Sequence, residues 1–119
     1  MKKILIVILT LIVFASLAYA ALNMKSVGNT TGDLIVTGSG NLKGLIIHTD
    51  GTNSVTVTVY DNTSATGSKL FSTFTVTTSS ANRTTTIGFD DKECPFFTGI
   101  YVDVTTSGNV TYDVYYDKI

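Results

Sequence analysis

Ser54-Val55-Thr56-Val57-Thr58-Val59-Tyr60 alternates apolar and hydroxylated side chains without a break. Successive side chains of a strand point to opposite faces, so this spacing gathers three valines on one side and the hydroxyls on the other. A helix of the same sequence would scatter the valines around its axis. Valine and threonine are β-branched and stiff at χ1, which adds a local preference for extended backbone. The segment is a half-buried strand, and the rest of the chain is read outward from it.

Period two recurs on both sides. Lys69–Val76 sets Leu70, Phe74 and Val76 on one face, and Ile100–Val104 repeats the device. Asn109–Asp117 sends Val110, Tyr112, Val114 and Tyr116 inward and Thr111, Asp113 and Tyr115 outward. Leu34–Thr37 and Arg83–Phe89 are further strands. Leu42–Thr49 is apolar on both faces at Leu45, Ile46 and Ile47, which predicts a central strand covered twice. After Leu22 no stretch has a 3.6-residue apolar period long enough for a helix. Turn formers separate the strands. Asp50-Gly51-Thr52-Asn53 is expected to close a hairpin between its neighbours, and Ser107-Gly108 a second one. One sheet would leave its apolar side wet. The expected fold is therefore all-β: a single antiparallel two-sheet β-sandwich, jelly-roll or Ig-like, of about 7–8 strands.

The N-terminus reads as a leader and would add a signal helix ahead of the sandwich. Met1-Lys2-Lys3 is basic, Ile4–Leu17 is apolar apart from Thr10 and Ser16, and Ala18-Tyr19-Ala20 offers small residues to a signal peptidase. The cut is expected before Ala21. Some 15 apolar residues cover roughly 22 Å as a helix, short of a hydrocarbon core of about 30 Å. The expected division is a signal peptide over 1–20, a flexible arm over 21–33 and the sandwich over 34–119. Location follows as secreted, extracellular or cell-surface, with the periplasm as a variant. Membrane contact is expected only through the leader before cleavage.

Beyond residue 20 the chain has six basic and nine acidic residues, a net charge of −3. Nucleic acid is not an expected partner, because its binding needs clustered Lys and Arg. Cys94 is the lone cysteine and cannot pair within the chain. The sole histidine, His48, reads as a strand-end residue without the context of a catalytic base. One His and one Cys cannot build a zinc site. With one Glu and no Trp, paired-carboxylate glycosidase chemistry has little to draw on. The expectation is no enzyme and no cofactor.

The contact candidates are few. Asp90, Asp91 and Glu93 are a calcium candidate opposed by Lys92, and the 90–97 loop could serve a calcium- or carbohydrate-binding module. Phe96, Phe97 and the outward Tyr115 are candidates for interaction. Asn-x-Ser/Thr sequons at Asn29, Asn62, Asn82 and Asn109 are candidate glycosylation sites. Asp50-Gly51 and Asp61-Asn62 read as turn chemistry. Twenty threonines lie beyond residue 20, enough to hold strands and keep their outer faces hydrated with few charges.

Gly40-Asn41-Leu42-Lys43-Gly44-Leu45-Ile46-Ile47-His48-Thr49, the run Val57–Gly67 through Tyr60-Asp61-Asn62, and Phe97-Thr98-Gly99-Ile100-Tyr101-Val102-Asp103-Val104 ahead of Asn109–Tyr112 form a pattern. It resembles short single-domain β-sandwich proteins encoded among the virion genes of tailed phages. The likeness runs from about Gly40 to Tyr116 and rests on turn-and-strand punctuation. It implies a non-catalytic structural role such as decorating a capsid or tail, and carries no functional residues across. The leader departs from that group, since a virion part assembled in the cytoplasm has no use for export. The expected function is a secreted or surface-exposed structural or adhesive sandwich. Its partners would be copies of itself or another surface or virion protein, with carbohydrate as an alternative. Ala21–Val36 is expected to act as a donor arm.

Overall fold

The computed structural model describes residues 22–28, 31–77, 83–89 and 92–119. The leader over 1–20, the cut before Ala21, and Asn29, Asn82, Asp90 and Asp91 lie outside the described residues. Nine strands follow one another: β1 (Leu22–Gly28), β2 (Gly32–Thr37), β3 (Gly40–Thr49), β4 (Val55–Tyr60), β5 (Phe74–Val76), β6 (Thr84–Gly88), β7 (Pro95–Phe96), β8 (Gly99–Thr105) and β9 (Val110–Lys118). No helix occurs among the described residues, and none there is long and apolar enough to cross a membrane.

Two antiparallel sheets pack together as a sandwich. One has the order β1-β9-β3-β6, with β7 also pairing β3, and the other β2-β8-β4-β5. The alternation in β4 does what its spacing requires. Val55, Val57 and Val59 are buried to within 1% of complete, each contributing about 1.5–3 kcal/mol by leaving water. They meet Ile100, Val102 and Val104 of β8 and, from the facing sheet, Leu45, Ile47, Val110, Tyr112 and Val114 in one cluster.

Both expected hairpins are absent. β3 pairs with β6, β7 and β9, and β4 with β5 and β8, so Asp50–Asn53 carries the chain from one sheet to the other. Ser107-Gly108 likewise crosses from β8 to β9. Asp50 explains the similarity of signal. Its Oδ1 accepts the Thr52 and Asn53 N–H groups at 2.8 Å each, an Asx-type turn indistinguishable in sequence from that of a hairpin. Gly51 supplies the positive φ of 80° that the turn needs.

The stretch 21–33, expected to be an arm, contributes β1 and the start of β2. β1 pairs with β9 from Leu22↔Asp117 to Gly28↔Thr111. Its pattern is inverted for a half-buried strand. Lys25 and Val27 face inward opposite Val114 and Tyr112, while Leu22 and Met24 are 63% and 56% exposed. β3 is central in its sheet, yet Ile46 on its outer face is only half-buried, so the second cover expected there is not found among the described residues.

Gly40 sits where three strands converge. A Cβ there would overlap the Asp117 carbonyl oxygen and press on the Phe96 ring. Only a residue without a side chain allows β3 to lie this close to β7 and β9.

Candidate interaction surface

The two flanks of the sandwich are built from different chemistry. On one flank the edge strands are β1 and β2. Lys25, inward on β1, reaches across to β2, where its Nζ lies 2.8 Å from Asp33 Oδ2 and donates to the Leu34 carbonyl at 2.6 Å. Inward charges on edge strands resist the addition of another strand, because a new neighbour would have to desolvate them. This flank is closed.

On the other flank the edge strands are β5 and the interrupted pair β6 and β7, which follow one another along β3. Between the sheets lie Phe71, Phe74 and Phe89, with centroid separations of 5.8 Å for Phe71–Phe74 and 5.6 Å for Phe71–Phe89. They are partly buried against the core together with Leu70 and Ile87. Thr84, Thr86 and Gly88 are exposed, and among the described residues no strand lies on the far side of β6. An apolar seam beside an unpaired edge is what a further strand can use.

The outer face of the larger sheet carries a polar row that sequence reading missed. The Ser26 hydroxyl donates to Asp113 Oδ1 at 2.5 Å, His48 Nε2 lies 3.3 Å from Asp113 Oδ2, and His48 Nδ1 lies 3.1 Å from Thr84 Oγ1. The row stitches β1, β9, β3 and β6 across their width. A nucleophilic relay places the imidazole between a hydroxyl and a carboxylate. Ser26 is on the wrong side of the carboxylate for that, and the hydroxyl beyond the imidazole is that of Thr84 on the exposed edge. An open depression of about 340 Å³ adjoins the row, lined by His48, Asp50, Arg83, Asn109 and Thr111 among others. The Asp50 carboxylate is already occupied. Besides its two backbone donors it accepts Asn53 Nδ2 at 2.7 Å and the Asn109 N–H at 3.3 Å. These bonds, led by those from Asn53, hold its pKa down to about 2.

Phe96 is fully buried, T-shaped against Tyr116 at 6.5 Å, so its assignment to contact is corrected to the core. Phe97 is 74% exposed and is set by Asp61, which accepts the Phe97 N–H at 2.9 Å and the Thr98 N–H at 2.8 Å. Asp61 is thus more than a turn residue: it fastens the end of β4 to the start of β8. Tyr115 is half-buried on the outer face opposite the exposed Met24. Glu93 is exposed, and no group of three His, Cys, Asp or Glu side chains that could hold a metal ion occurs among the described residues. Asn62 spends its side chain in its own loop, donating to the Thr66 carbonyl at 2.7 Å and accepting the Thr63 N–H at 2.8 Å. Asn109 is exposed at the foot of β9. Cys94 is a buried free thiol whose pKa burial pushes up. The Tyr112 hydroxyl is buried with no hydrogen-bond partner among the described residues, and the same desolvation drives its pKa upward.

No family model matches the chain, and a search of curated proteins finds no relative.

Proposed function

We propose that this chain is an exported structural jelly roll, non-catalytic, that acts by surface contact and chiefly by contact with copies of itself. The sheet orders β1-β9-β3-β6 and β2-β8-β4-β5 interleave early and late strands. That interleaving supports a jelly roll over the Ig arrangement, and jelly rolls are a recurrent architecture of viral capsid domains. The likeness to tailed-phage virion proteins supports the structural part of the reading, and the leader supports export.

One observation carries the proposal: among the described residues both flanks end in edge strands, but one bears an ion pair across its edges while the other bears an aromatic seam and no inward charge on β6. Natural sandwiches blunt the edges they do not use. Sedimentation of the purified protein over a hundredfold range of concentration tests it. The expected result is a mass that rises above one chain with concentration. A mass of one chain throughout would defeat the reading. N-terminal sequencing of exported material, expected to begin at Ala21, tests the leader separately.

A further inference from the structure

We infer that the end of the sandwich next to the leader is a lipid-facing tip: Leu22, Ile119 and Phe97 rest on the bilayer that holds the leader and stand the domain on it, polar end outward. The inference rests on the leader in the proposed function and is independent of self-association.

Four large apolar side chains are more than half exposed among the described residues: Leu22, Met24, Phe97 and Ile119. All four lie toward one end. Leu22 opens β1 opposite Asp117, near the close of β9. The Ile119 N–H donates to the Ser39 carbonyl at 3.0 Å and the Gly38 N–H to the Thr98 carbonyl at 2.9 Å. These bonds set Ile119, the β2–β3 turn and the β7–β8 turn with Phe97 side by side. Across this end the strands run β1, β9, β3, β7, so at a spacing of about 4.8 Å the row from Leu22 to Phe97 extends about 14 Å. Met24 stands behind Leu22 on the same face of β1. The opposite end, made by Asp50–Asn53 and Ser107–Asn109, exposes no large apolar side chain among the described residues.

The backbone at the tip suits hydrocarbon. An apolar surface enters lipid cheaply only where its backbone polar groups are already paired. The N–H groups of Gly38 and Ile119 are paired as above, those of Phe97 and Thr98 donate to Asp61, and that of Asp61 donates to the Ser68 carbonyl at 2.8 Å. The tip presents strand ends and turns, so it is no template for an added strand. Asp61 is occupied by its N–H donors, and Asp117 is paired with Lys43 at 3.3 Å. Glu93 is exposed beside β7, and the net charge beyond residue 20 is −3. Neutral lipid is therefore the surface that fits, since anionic lipid favours basic patches.

The leader brings that surface within reach. Ile4–Leu17 is apolar and Leu22 follows Leu17 by five residues, a span of at most about 18 Å when fully extended. While the leader sits in the bilayer, tethering holds the tip at the surface at high effective concentration. A few side chains without the tether would bind weakly and reversibly, as a single acyl chain does. The contact therefore lasts while the leader is attached and weakens once the chain is cut before Ala21.

Quenching by spin-labelled lipid tests the tip. The full chain carrying Cys94→Ala is reconstituted in phosphatidylcholine vesicles containing nitroxide-labelled phosphatidylcholine. A fluorophore is attached through Thr98→Cys, beside Phe97, or through Thr52→Cys at the polar end, both exposed positions. Quenching at 98 should exceed that at 52 several-fold. Leu22→Ser/Phe97→Ser should lower quenching at 98 toward that at 52 while the melting transition holds, because both side chains are exposed. Equal quenching at the two positions, or quenching at 98 that the double variant leaves intact, would overturn the tip contact and leave the leader standing. A label at 98 shielded from both the nitroxide and aqueous iodide would place a second copy or another protein on the tip and overturn the lipid assignment. A chain that fails to float with the vesicles would overturn the leader and the tip together.

Discussion

The β1/β2 flank and the β5/β6 flank cover the same core, yet they treat their exposed backbone in opposite ways. On the first, Lys25 turns inward and bonds Asp33 and the Leu34 carbonyl, a charge where a half-buried strand would otherwise bury an apolar side chain. On the second, hydroxyls and a half-covered aromatic cluster stand beside an edge with no charge pointing inward along β6. The difference teaches that where a sandwich puts its charges says as much about its contacts as where it puts its hydrophobes.

The largest expected effect comes from the apolar anchor of the open flank. Phe96→Ala removes a fully buried ring on β7 and should cost about 3–5 kcal/mol in urea unfolding. Val27→Ala on the closed flank removes two methyls from a less completely buried site and should cost about 2 kcal/mol or less. Equal costs would mean that the two flanks lean on the core alike.

Next comes the ion pair itself. Both side chains are more than a third exposed, so the double variant Lys25→Ala/Asp33→Ala should lose no more than about 1 kcal/mol. Its informative effect is on association: with the inward charges gone, β1 and β2 should recruit additional copies, read as higher-order species in sedimentation. An unchanged distribution would show that the pair does not guard the edge.

Tyr112→Phe deletes a buried hydroxyl that has no partner among the described residues and should raise stability by up to about 1 kcal/mol. The smallest effect is expected from acid. Asp50 has its pKa lowered to about 2 from an ordinary 3.8, so its contribution is fully present above about pH 4 and fades as pH falls toward 2. Asp50→Ala should flatten that part of the melting-temperature profile. A profile of unchanged slope would mean that Asp50 does not hold the loop end together.

Much of this architecture is legible in the chain, for identifiable reasons. β4 and β9 announce themselves because strict alternation of apolar and polar residues fits a half-buried strand and no helix. β1 does not. At an edge its inward positions hold Lys25 for negative reasons, and its apolar Leu22 and Met24 face out, so the period points the wrong way. The Asp50 and Ser107 turns look like hairpins because a carboxylate capping two N–H groups, and at Gly108 an N–H donated to the Thr106 hydroxyl, are local chemistry. Whether the chain then turns back or crosses to the other sheet depends on partners far away. Phe96 and Phe97 are adjacent and chemically identical, and only the Gly40 approach and the Asp61 bonds divide them into core and surface. The Ser26–Asp113–His48–Thr84 row joins residues up to 87 positions apart, and no local motif announces it.

Residue-resolved amide exchange of β6, measured at low and high protein concentration, tests the central asymmetry most directly. The N–H groups of Thr85 and Ile87, turned toward β3, should be protected throughout. Those of Thr84, Thr86 and Gly88 should exchange fast when dilute and become protected as concentration rises. If those three stay fast at every concentration while protection grows along β1 or β2, the roles assigned to the two flanks are reversed.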